Sequence, residues 1–165
     1  MNEIEVLRGA LDNQREHVLG AVEGLTDEQL TQPILPSHWN CAGLINHLAL
    51  DVERFWFRQV FAGEELTPAE IAESGNDAWL VPAEVAPQTI LDRYRQEIAR
   101  ADAIIASASL EDPPAAWPDL FAPQFHLDNL RELLVHVITE TACHAGHLDA
   151  TRELIDGRQW LVLTE

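Results

Sequence analysis

Apolar residues recur at helical spacing along most of the chain. Ile4, Leu7, Leu11, Val18, Val22 and Leu25 predict a first helix from about Glu3 to Gly24, with the glycine suited to its end. Thr26, with Gln29 three residues on, has the pattern of a capping box opening a short turn. Pro33 and Pro36 then break the chain. Leu44, Ile45, Leu48, Val52, Phe55 and Val60 give a second helix, from about Asn40 to Ala62, a broad apolar face, and Gly63 stops it. The mixed stretch 64–87 has room for a short helix near Pro68 to Ser74. Pro87 suits the first turn of a third long helix reaching about Ala108. Between Glu111 and His126, Pro113, Pro114, Pro118 and Pro123 mark an irregular segment long enough to be a lid or rim. A fourth helix follows from about Asp128 to Asp156, with Gly157 as its terminator, and the tail 158–165 is expected to pack back on the helices or meet a partner subunit.

Four long helices with little strand signal predict a single all-α domain over residues 1–165, a four-helix bundle. Its 165 residues are enough to bury a core. No apolar stretch reaches the roughly 18 residues of a membrane span. Met1 to Leu7 carries Glu3 and Glu5 and no basic run, unlike a targeting peptide, so a cytoplasmic protein is expected. Twenty-eight acidic residues against ten basic ones, all arginine, leave a net charge of -18. Such a surface repels nucleic acid and anionic membranes. Cys41 and Cys143 lie in separate predicted helices without a CxxC pair and are expected to be reduced and buried. No P-loop, GxSxG, HExxH or dinucleotide-binding glycine pattern is present. The five tryptophans read as core and pocket wall.

One helical stripe changes this picture. At about 100° per residue, His136, Glu140, His144 and His147 fall within an arc of about 80°. Leu133 and Val137 lie in or beside that arc, so the four side chains border the buried face. Burying imidazoles and a carboxylate together is costly unless they are paired or hold a cation. The second helix supplies His47 among Leu44, Leu48 and Phe55, with Asp51 one turn on, placed to hydrogen-bond a ligand's second nitrogen or a bound water. Such donors suit zinc, nickel, iron and manganese. A hydrogen-bonded polar core is the plainer alternative. His17, His38 and His126 read as surface or loop histidines, the last two near segments that could line a pocket mouth.

The run Trp39-Asn40-Cys41-Ala42-Gly43-Leu44-Ile45-Asn46-His47-Leu48-Ala49, continued by Asp51-Val52-Glu53-Arg54-Phe55-Trp56-Phe57, resembles the second-helix motif of the DinB-like superfamily, closest to its actinobacterial mycothiol transferase branch. The run from Glu140 to Asp149, ending in Arg152-Glu153-Leu154-Ile155-Asp156-Gly157, is similar to the same branch. The resemblance implies a four-helix bundle with a metal triad mapping to His47, Glu140 and His144. Many DinB-like proteins carry histidine where Glu140 stands. Glutamate there is similar to mycothiol-dependent maleylpyruvate isomerase, and the departure keeps His136 and His147 as alternative third ligands. The resemblance further implies one divalent metal (zinc foremost), mycothiol as thiol cosubstrate, a small electrophile as substrate and a homodimer. Asp51 and His147 are the candidates to orient ligands or move protons. The expected activity is metal-assisted thiol transfer or isomerisation. A metal-dependent hydrolase and a non-catalytic metal-binding stress-response module are the alternatives.

Overall fold

The computed structural model describes residues 2–74, 77–121 and 124–160, and every regular element among them is helical. Helix α1 (Glu3–Val22) opens with a reciprocal capping box between Asn2 and Glu5. Helix α2 (Asp27–Thr31) opens with the expected one between Thr26 and Gln29. Helix α3 (Cys41–His47) is capped by the Asn40 side chain, which accepts from the Gly43 N–H. Each cap satisfies amide groups that have no partner inside the helix. Helix α4 spans Pro68–Ser74, and α5 spans Pro87–Ala106 with proline in its first turn. Helix α6 (Leu130–Asp156) starts at an Asn129 cap and ends at Gly157, whose φ of 76° is the left-handed conformation of a helix terminator.

The predicted second helix is not one regular α-helix. It is α-helical only through His47, and from Leu48 to Phe61 it continues as a π-helix, closed by the Ala62 N–H donating to the Phe57 carbonyl at 3.0 Å. Bonds running to the fifth residue widen the turn. Burial accordingly recurs every four residues. Leu48, Val52, Trp56 and Val60 form one buried row, and Ala49, Glu53, Phe57 and Phe61 form a second. His47, Asp51, Phe55 and Gln59 form the row with most access to solvent.

Helix α1 packs along α6, and the π segment packs along α5, which α3 also touches. Leu11, Leu44, Phe57, Ile90, Leu133 and Leu148 are among the fully buried side chains at their junction. The core also holds charge. Arg15 donates to both oxygens of Glu53 at 2.7 Å, and each of these residues is at most 3 % exposed. Arg54 and Arg58 both donate to Glu97, itself buried. A buried carboxylate is tolerated because it is paired in this way. Burial raises the Glu53 carboxyl pKa, against the opposing pull of Arg15.

Two expectations about individual side chains need correction. Cys41 is buried, but Cys143 is exposed on α6. His17 is not a simple surface residue. It is partly buried, 2.5 Å from Asp149, and stacks on Trp160 with ring centroids 5.8 Å apart. That contact brings the start of the tail back onto α1. Residues 161–165 lie outside the described residues.

Candidate functional site

His47 closes α3 where the helix widens, and the widened turn puts Asp51 beside it. His47 Nδ1 lies 2.9 Å from Asp51 Oδ2. A carboxylate accepts the Nδ1 proton, which leaves the Nε2 lone pair free for a ligand or proton. Trp79 covers the other side of the ring, stacked at 4.5 Å between centroids and 20° between planes. Helix α6 supplies the facing wall. The His144 ring lies edge-on to His47 at 5.0 Å, and its Nε2 is 3.5 Å from Glu140 Oε2. His144 Nδ1 is buried with no hydrogen-bond partner. Burial lowers the proton affinity of His144, and the nearby His47 lowers it further, so the neutral imidazole is favoured.

The other two members of the stripe diverge. His147 is exposed, 5.5 Å from the His144 ring and 6.3 Å from Trp39. His136 lies further along, against Trp56 at 4.6 Å and Phe125 at 5.3 Å, and burial lowers its proton affinity too. It lines a cleft of about 430 Å³ that runs from His47, Asp51 and Glu140 to Trp56, Phe121 and Phe125. His38 and His126 are exposed as expected, His38 with a φ of 63° and His126 against Trp117.

The donors fit a divalent cation in kind. Two imidazoles, His47 and His144, and the Glu140 carboxylate come together beside the cleft, and His144 contributes a buried ring nitrogen without a hydrogen-bond partner. In spacing, the cluster is open: among the described residues no group of three or more His, Cys, Asp or Glu side chains is arranged to hold a metal ion.

Sequence reasoning missed Phe121 and Phe125 as site residues, and it read Trp79 only collectively with the other tryptophans as core and pocket wall, not as the ring stacked on His47. Trp79 sits in a segment without periodicity, held because the Asn46 side chain donates to the neighbouring Ala78 carbonyl at 2.8 Å. Phe121 and Phe125 lie in the proline-rich stretch, whose reading as a rim was the one available signal.

An all-helical protein with an imidazole–carboxylate cluster at the head of an apolar cleft is the class that fold and site define. A family model described as Mycothiol-S-transferase matches residues 6–157, and the chain belongs to that family, the DinB-like branch its two motifs resemble. Comparison with curated proteins gives no match. No helix among the described residues is long and apolar enough to cross a membrane.

Proposed function

We propose that this protein transfers the low-molecular-weight thiol mycothiol to a small electrophile, assisted by one divalent metal on His47, Glu140 and His144. The observation that carries this reading is the approach of His144 to both His47 and Glu140 beside the cleft, in a chain of the mycothiol S-transferase family. The metal, zinc foremost and nickel, iron or manganese otherwise, would lower the pKa of the thiol so that the nucleophilic thiolate exists at neutral pH. Asp51 fixes the tautomer and orientation of His47, and Trp79 holds the ring plane. His147, exposed beside His144, is placed to carry the thiol proton to solvent. In this reading the long helical segments α1, Cys41–Phe61, α5 and α6 are the four members of a DinB-like bundle, the assembly is a homodimer and the compartment is the cytoplasm, where thiols stay reduced.

Elemental mass spectrometry on untagged protein tests the site. About one metal per chain is expected in the wild type and none in His47→Ala. Stoichiometric metal in His47→Ala, or none in the wild type after reconstitution, would overturn the triad. Turnover of an ester panel without added thiol would replace transfer with hydrolysis.

A further inference from the structure

We propose that the apolar cleft beside His47 and Glu140 is the subsite for the electrophile, and that it selects neutral, flat, aromatic electrophiles. This rests on the transferase reading for the reaction but on the cleft alone for the ligand.

Three features of the lining argue for such a ligand. The first is the arrangement of rings. Trp56 and Phe121 lie nearly parallel, 16° apart with centroids at 5.7 Å, and Phe125 stands edge-on to both at 6.0 Å. These three rings pack on one another into one aromatic wall of the cleft, and a planar ring laid against that wall takes up offset-stacked or edge-to-face contacts. The second is charge. Asp51 and Glu140 are the only charged side chains among the described residues lining the cleft, and both are acidic. At the aromatic end, away from the metal proposed on His47, Glu140 and His144, an anionic ligand would meet no cationic side chain. The third is the single polar group at the aromatic end. His136 lies against Trp56 and Phe125, and its neutral imidazole has an N–H to offer a carbonyl or a departing group. A volume of about 430 Å³ falls within the range of small-molecule sites.

The geometry then orders the reactants. The ring of the electrophile sits against Trp56 and Phe125, and its reactive carbon points to the His47 and Glu140 end. With a benzylic chloride, the thiolate sulfur forms a bond to the benzylic carbon, the carbon–chlorine bond breaks and chloride leaves with the electron pair. The thiol proton goes to solvent, and the products are a thioether and hydrogen chloride.

Fluorine NMR with 4-fluorobenzyl alcohol, a neutral unreactive probe, reads the subsite directly. 4-Fluorobenzoate serves as its anionic counterpart. The alcohol is expected to bind at least about tenfold more tightly than the benzoate, and Phe125→Ala to weaken it about tenfold. Phe125→Leu keeps apolar bulk without the ring and is the second variant should the alanine form not fold. In turnover with mycothiol, 4-fluorobenzyl chloride is expected to exceed chloroacetamide in kcat/KM, and the ratio to fall in the Phe125 variant. Equal preference for the two chlorides, tighter benzoate binding, or alcohol binding indifferent to Phe125 overturns the subsite. Alcohol binding that Phe125→Ala abolishes, with no thiol transfer to either chloride, supports the subsite and sinks the transferase reading instead.

Discussion

Gly43 lies so close to Trp79 that a Cβ added to the glycine would stand 2.3 Å from the Trp79 carbonyl oxygen. This close approach lets the segment around Ala78 and Trp79 rest on α3, and it sets the indole over His47. Gly43→Ala must displace backbone rather than a flexible side-chain end. The variant should lose about 1–3 kcal/mol of stability, and the His47 ring-proton resonances should move as the indole lifts away. An unchanged His47 spectrum would show that Trp79 is held by other contacts.

The caps and terminators were legible because they are local. Thr26 with Gln29, Pro87 and Gly157 each act within a few residues, and the structure uses them where the sequence places them. His47, Glu140 and His144 stood out for a similar reason, since each lies in a short run resembling known motifs. The widening after His47 was hidden, because an apolar face read at a period of 3.6 also accommodates rows that recur every four residues. The buried partner of Arg15 was out of reach: Glu53 is 38 residues away, and only the packed fold brings the two together. The stacking of Trp79 on His47 was hidden because loop position carries no periodicity.

The Arg15–Glu53 pair makes a sharp stability test. Arg15→Ala leaves a buried carboxylate without its guanidinium and should cost about 3–5 kcal/mol in urea denaturation. Arg15→Met combined with Glu53→Leu removes both charges and should recover most of that loss. A double variant as unstable as Arg15→Ala would mean that the pair stabilises the fold in its own right.

Acid should weaken the metal-free protein before its carboxylates titrate. Burial lowers the proton affinity of His136 and His144 below the ordinary histidine value of 6.5. Below that value the unfolded chain binds more protons than the folded one. Stability is therefore full above the window and falls as pH drops through it. The urea midpoint should be lower at about pH 5.5 than at about pH 7.5. His136→Phe, with one of the two imidazoles gone, should show a smaller drop. An equal drop in that variant would remove His136 as a source.

The two cysteines should differ in reactivity. Cys143 is exposed, whereas burial pushes the Cys41 thiol up to about 11. A disulfide reagent such as Ellman's reagent should titrate one thiol per native chain quickly, and Cys143→Ser should abolish that phase. Two fast thiols in the native protein would contradict the burial of Cys41.

The four-residue repeat of the π segment separates tasks that an ordinary helix would mix. Asp51, Phe55 and Gln59 share the more exposed row that begins at His47, and its His47 and Asp51 meet the cleft from the edge; Val52 and Trp56 belong to a buried row that lines the cleft, and Glu53 and Phe57 to a row turned to the interior. Rim, floor and core are thus written in separate registers of one stretch of chain. A substitution at position 51 alters the edge of the cleft, while Glu53 and Phe57, two residues and six residues on, stay in the buried interior.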